Sequence, residues 1–147
     1  MITLRRTAQV AAAAALVAGS SLVGATSASA QANCTTVEGA RMCANVVWPG
    51  GNTYYGRATV TDVDGGPNLN VAVTNIRLQH YNGSSWVTVR ETYDYDGYFG
   101  GSDTGQTTAI NPCNYRNPVF RTVAYVQWNG GQSGARTIYS GAHGHTC

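Results

Sequence analysis

Apolar residues follow two different rhythms along this chain. From Val10 to Val23 they run nearly unbroken as Ala, Leu and Val, with one Gly-Ser-Ser interruption. Beyond residue 30 they fall at every second position instead, the period of a half-buried strand. In Tyr54–Val63, Ala58 and Val60 take one face and Arg57, Thr59 and Thr61 the other. Leu69, Val71 and Val73 share a face, but Ile76 and Leu78 continue in the opposite phase. Such a flip predicts a bulge or bend near Thr74-Asn75, because one extra residue sends every later side chain to the other face. Trp86, Thr88 and Arg90 alternate with Val87 and Val89. The longest predicted strand, Val119–Trp128, sets Phe120, Ala124, Val126 and Trp128 against Arg121, Tyr125 and Gln127. Val46–Trp48, Gly105–Ile110 and Arg136–Tyr139 are shorter candidates. No stretch of about twelve residues past the leader repeats at 3.6, so no helix is predicted there.

Turn chemistry separates these runs. Asn82-Gly83 stands between His80-Tyr81 and Ser84-Ser85-Trp86. Asn-Gly accepts positive φ at both central positions, as a type I′ hairpin requires. Asp64-Gly65-Gly66-Pro67 and Asn129-Gly130-Gly131 are turn signals of the same kind. About seven short strands with a turn every 8–12 residues predict an all-β fold, a small antiparallel β-sandwich. A barrel is the other closure of the same pattern.

The segment Leu78-Gln79-His80-Tyr81-Asn82-Gly83-Ser84-Ser85-Trp86-Val87-Thr88-Val89 resembles the L-Q-R-x-x-G-x-x-W-x-x-V hairpin of bacterial extracellular immunoglobulin-like domains. Phe120-Arg121-Thr122-Val123-Ala124-Tyr125-Val126 is similar to the Y-R-x-x-V strand that follows it there. The resemblance implies an immunoglobulin-like sandwich and carries no catalytic residue.

The apolar leader has the parts of a secretory signal peptide, residues 1–30. Arg5 and Arg6 form its positive start, and Ala28-Ser29-Ala30 offers the small-x-small cleavage site. Ala30-Gln31-Ala32 is a second site two residues on. Thr7, Ala8 and Gln9 lack the bulky apolar follow-up of the twin-arginine route. The run is too short and alanine-rich to remain as a span of a hydrocarbon core about 30 Å thick. No later segment is apolar enough to cross a membrane. Residues 31–147 therefore form one exported, extracellular domain, too short to divide in two.

Removal of the leader changes the charge picture. Of nine basic residues, all arginine, Arg5 and Arg6 leave with it, so seven remain against seven acids. A neutral domain has no basic stripe to release counterions from nucleic acid, and none to hold an anionic membrane. The four cysteines, Cys34, Cys43, Cys113 and Cys147, all lie in the exported part. An even number in an oxidising compartment predicts two disulfides. Three pairings exist, and Cys34–Cys43 with Cys113–Cys147 closes the shorter loops. A zinc site is disfavoured, since no C-x-x-C spacing occurs.

The most unusual composition is Tyr93-Asp94-Tyr95-Asp96-Gly97-Tyr98-Phe99-Gly100-Gly101-Ser102-Asp103. Tyrosine gives a large contact area at little entropic cost, and glycine lets a loop take shape around a partner. Tyr93, Asp94, Tyr95, Asp96, Tyr98 and Phe99 are the candidate binding residues. The blander account is an edge strand and turn whose tyrosines cover the end of the sandwich.

Other chemistry is thinner. Asp94-x-Asp96-Gly97, with Asp103 downstream, and Asp62-x-Asp64-Gly65 place paired carboxylates beside a turn, as calcium loops do. Neither has the third acid or the terminal Glu of an EF-hand, and Asp-Gly is also an ordinary turn. His143-x-His145, with His80, is a possible imidazole set, and a surface tail explains it equally. No metal or other cofactor is expected. There is no G-x-S-x-G, no H-E-x-x-H and no unpaired cysteine, so no catalytic residue is assigned.

Two functional readings follow. The first is a non-catalytic protein-binding module, presenting Tyr93–Asp103 or a strand edge to an extracellular protein. Ser140-Gly141-Ala142-His143-Gly144-His145 resembles the carboxy-terminal sequence of tendamistat-type amylase inhibitors, which are secreted two-disulfide sandwiches. Their inhibitory Trp-Arg-Tyr turn is absent here. In size and export route the chain is also similar to the small adaptor subunit of bacterial umbrella toxin particles. In such an adaptor a flexible Gln31–Arg41 segment would pair with a partner's sheet edge. The second reading is a carbohydrate-binding module, with Tyr93, Tyr95, Tyr98 and Trp128 stacking on sugars and Asp94 or Asp96 accepting from hydroxyls. Amino-terminal sequencing of secreted protein should return Gln31 as first residue after the upstream cut, or Asn33 after the downstream one. A start before Ala28 refutes the signal peptide.

Overall fold

The computed structural model describes residues 32–66 and 68–147; the leader, both cleavage sites and Gln31 lie outside the described residues. The strands are β1 (Asn33–Val37), β2 (Ala40–Val47), β3 (Tyr55–Asp62), β4 (Asn70–Tyr81), β5 (Trp86–Tyr93), β6 (Phe99–Gly100), β7 (Ser102–Gln106), β8 (Val119–Asn129), β9 (Gly134–Tyr139) and β10 (His143–Gly144). A single 3-10 turn covers Pro112–Asn114, capped by the Asn111 side chain. The fold is an all-β antiparallel sandwich with two disulfides.

One sheet has the order β1-β2-β3-β7. The other is built on β4 and β8, which pair along most of their length. Beside β4 run β5 and, further along, β6; beside β8 run β9 and β10. This second sheet is thus four columns wide. If β2, β3, β4, β5, β7, β8 and β9 are taken in chain order, the first, second and fifth share one sheet and the others form the second. The fourth of these seven lies with the third, sixth and seventh, whereas the constant-type immunoglobulin order sets it with the first, second and fifth. Both segments quoted for that resemblance fall on this framework, as the β4–β5 hairpin and β8.

There are ten strands where the apolar rhythm predicts about seven. β6 and β10 are two residues each, too short for a period. β1, Asn-Cys-Thr-Thr-Val, is an edge strand with no buried face. The weak candidate at Gly105–Ile110 is displaced to Ser102–Gln106, where Asp103 and Gly105 face inward. A Cβ on Gly105 would stand 2.5 Å from Ile76 Cδ1. Only glycine lets β7 lie this close to β4.

The predicted phase flip is present. Val73 pairs with Val126 and Asn75 with Tyr125, leaving Thr74 unopposed. Val71, Val73, Ile76 and Leu78 are consequently all buried. Val71, Val73 and Ile76 share one cluster with the small residues Ala40, Ala44 and Ala58 and with Met42 and Val60, while Leu78 joins Val46, Tyr54, Ile110 and Phe120 in a second.

The Asn82-Gly83 hairpin is real but is not a two-residue type I′ turn. Tyr81 pairs with Trp86, so four residues form the loop, and only Gly83 has positive φ. Asn82 Oδ1 accepts from the amides of Ser84 and Ser85, and Asn82 N donates to Ser85 O, so side chain and backbone close the loop together. The two-residue turn with both φ values positive occurs instead at Glu38-Gly39, with φ 51° and 83°. It fixes the β1–β2 register and sets Cys34 directly opposite Cys43. Their Cα atoms are 4.1 Å apart and bonded; Cys113–Cys147 is the second bridge. Cys34, predicted to sit in a free segment, therefore lies in a paired strand. Of the proposed flexible Gln31–Arg41 arm, β1 and the start of β2 are already part of this sheet.

Beneath the Cys113–Cys147 tail, Tyr54 is buried against Phe120 at 5.7 Å between ring centroids, and against His143 and His145 at 5.3 and 5.2 Å. His145 Nδ1 shares a hydrogen bond of 3.2 Å with the Tyr54 hydroxyl. Partial burial, and secondarily the charge of His145, hold the His143 imidazole below its ordinary 6.5. The unfolded chain then binds this proton more readily than the native one. Stability is complete above about pH 6.5 and declines as pH falls below it towards the folded value. The melting temperature should drop between pH 7.5 and pH 5, and the drop should shrink in His143→Gln; an equal drop in both proteins refutes the assignment. Independently, Gly105→Ala should cost about 1–3 kcal/mol in denaturant unfolding, as overpacking does; an unchanged midpoint would show that β7 can move away.

Candidate functional site

Alternation sends one side chain in two on β4, β5, β8 and β9 away from the core. Register then arranges the outward ones in rows. One row is Tyr93, Asn75, Tyr125, Thr137; the next is Glu91, Arg77, Val123, Tyr139. Further along, Gln79 lies between Thr88 and Arg121, and Tyr81 opposite Trp86.

At the Tyr93 end the face becomes concave. A groove of about 600 Å³ has Asn75, Arg77, Tyr125 and Gln127 among its floor residues. Its wall is the loop after β5, through Tyr93, Asp94, Tyr95 and Tyr98. The loop is tied to the sheet along the edge of β4 away from β8, between the residues paired with β6 and those paired with β5. There Asp94 N donates to Thr74 O at 3.0 Å. Asp103, 8% exposed, accepts from Val73 N through Oδ2 at 2.6 Å and from Thr104 N through Oδ1. Asp94 Oδ1 accepts from Asp96 N, and Gly97 turns the chain at φ 93°.

The tyrosines do not cover the core. Tyr95 is 85% exposed, Tyr93 55% and Tyr98 47%. Tyr93 and Tyr95 stack on each other, centroids 5.8 Å apart and 6° from parallel. A hydrogen bond to Glu91, then the charge of Glu91, raises the Tyr93 phenol above its ordinary 10.0. Lost hydration in the loop, then the hydrogen bond and charge of Asp94, raises the Asp96 carboxyl. On the groove floor, the buried Arg77 Nε has no hydrogen-bond partner among the described residues.

Of the six residues singled out from sequence, Tyr93, Asp94, Tyr95 and Tyr98 meet in the groove wall. Asp96 stands at the exposed loop tip beside them. Phe99 opens β6 and pairs with Val71, away from the groove lining. Tyr125, Arg77 and Glu91 are the additions. Tyr125 was legible as an outward residue of β8, but its place beside the loop depends on register between distant strands.

Further along the same face, the Arg121 guanidinium lies over the Trp86 ring at 4.4 Å and near Tyr139 at 5.3 Å. Arg121 Nε donates to Gln79 Oε1, which holds the stack in place.

Other residues singled out from the sequence lie elsewhere in the fold. Trp128 is 4% exposed and donates its indole N–H to Glu38, so it cannot stack on a sugar. The alternation had already placed it with Phe120 on the core side. His80 is buried against Phe120 and Tyr115, with Nε2 at 3.0 Å from the carbonyls of Arg116 and Asn117, and does not join His143 and His145 in a ligand set. Among the described residues, the one group of three candidate metal ligands is Cys113, His145 and Cys147, whose sulfurs are spent in the disulfide. Asp62 and Asp64 carboxylates accept from Leu69 N and Gly66 N, the bonds of a turn. No helix among the described residues is long and apolar enough to cross a membrane.

No protein-family model matches the chain, and no curated protein matches it.

Proposed function

We propose that this chain is a secreted, non-catalytic binding module that docks another extracellular protein through the tyrosine groove. The observation that carries this reading is the exposure of Tyr93, Tyr95, Tyr98 and Tyr125 around one concavity on a rigid sheet. Burying so much aromatic surface would lower its free energy, and tyrosine rings lose only two rotatable bonds on binding. A protein partner is favoured over a glycan because Tyr93 and Tyr95 spend a face on each other, and because Trp128, the broadest platform proposed for a sugar, is in the core. The antiparallel sandwich and the position of the β4–β5 hairpin agree with the hairpin resemblance. Service as an inhibitor, or as an adaptor in a secreted assembly, agrees with such a surface and with the disulfides of an exported domain.

Replacing Tyr95 and Tyr98 together by Ala tests the reading. Interface tyrosines contribute upwards of about 2 kcal/mol each to binding. Exposed positions change stability by only about 0.5 kcal/mol. The wild-type domain, used as bait in the producer's culture supernatant, should capture a protein that the double variant loses, while both melt within a few degrees of each other. Retention of the wild type on insoluble polysaccharide, with no groove-dependent protein capture, would overturn the protein reading in favour of the glycan.

A further inference from the structure

The groove is not chemically neutral. Arg77 on its floor faces Glu91 across the β4–β5 pair, so these two charges offset each other locally. Asp94 in the wall adds a carboxylate beyond this pair, so the lining acids Glu91 and Asp94 outnumber the lining base Arg77, and Asp96 stands at the exposed loop tip beside them. A partner group entering here meets aromatic faces on its flanks and carboxylates at the rim. Electron-rich ring faces attract cations, and guanidinium groups stack on them while donating in-plane hydrogen bonds to carboxylates.

The same sheet face already contains this arrangement. Arg121 lies over Trp86 and beside Tyr139, its Nε–H bonded to a side-chain oxygen. At the opposite end, tyrosines stand beside Asp94 over the Arg77 floor, and the cation–π contacts among the described residues are those of Arg121.

We infer that the groove is a receptor for an arginine side chain of the partner protein, stacked on Tyr95 or Tyr98 and hydrogen-bonded to Asp94 and Asp96. This rests on the docking reading above and names the chemistry of what docks. An acidic partner segment is repelled at the rim, and an aliphatic one leaves both carboxylates desolvated without a partner. Long-range attraction between an acidic mouth and a basic segment also speeds encounter and weakens with salt.

The test uses short capped peptides on the intact isotope-labelled exported domain, followed by amide and tyrosine-ring chemical shifts. Acetyl-Gly-Arg-Gly-amide should perturb Tyr93, Asp94, Tyr98 and Tyr125 and saturate at millimolar concentration. The citrulline peptide, equal in shape but uncharged, should bind at least ten-fold more weakly, and the Glu and Leu peptides should leave these signals in place. Asp94→Asn/Asp96→Asn should reduce the arginine affinity about ten-fold with an otherwise unchanged spectrum. Equal binding of arginine and citrulline peptides, perturbations confined to other surfaces, or none at all would overturn the inference. If groove-dependent capture from supernatant is seen beside such a failure, docking stands and only the arginine preference falls. If the arginine peptide binds but no captured protein depends on Tyr95 and Tyr98, the docking reading itself falls.

Discussion

The unopposed residue Thr74 is the constraint around which this domain is arranged. Without it, a twelve-residue β4 would bury either Val71 and Val73 or Ile76 and Leu78, but not both pairs. With it, one strand supplies the core along its whole length. The same irregularity coincides with the stretch where the edge of β4 away from β8 has no strand partner, between β6 and the pairing with β5. Bare backbone there would be costly. Asp103 reaches across from the other sheet to Val73 N, and Asp94 N closes on Thr74 O. The strand that fills the core thus also anchors the loop that carries the tyrosines.

The disulfides secure what the apolar core leaves weak. β1 buries no face, so its attachment depends on the ladder to β2 and on Cys34–Cys43. The carboxy-terminal tail is held over Tyr54 by Cys113–Cys147. In the chain-entropy model, loops of this size contribute roughly 3 and 4 kcal/mol by restricting the unfolded chain. The four cysteines belong to neither apolar cluster and do not line the groove.

The candidate site divides its labour in a way common to binding modules on β-scaffolds. A regular sheet fixes Asn75, Arg77 and Tyr125 in rows a strand spacing apart, and a short glycine-turned loop raises a wall beside them. The floor residues are held by the strand ladders, and Gly97, at positive φ, turns the loop that stands over them.

Much of this was legible in the chain itself, because alternation and turn chemistry are local. The strands around Ala58, Val71 and Val126, the phase flip at Thr74 and the aromatic loop at Tyr93–Asp103 all follow from neighbours within a few residues. The disulfide pairing followed from loop length. What the chain could not display is anything decided between strands distant in sequence. β7 has no apolar rhythm because its inward positions are Asp103, bonded to another strand's amide, and Gly105, kept small by Ile76. Glu38-Gly39 looks unremarkable as a dipeptide, yet pairing of Val37 with Ala40 demands positive φ at both residues. Tyr125 and Arg77 become part of a site only because the register of β4 on β8 and β5 brings them beside Tyr93. Local sequence sets which face a side chain takes; which side chains share that face is set by long-range pairing, and that is a property of the folded chain alone.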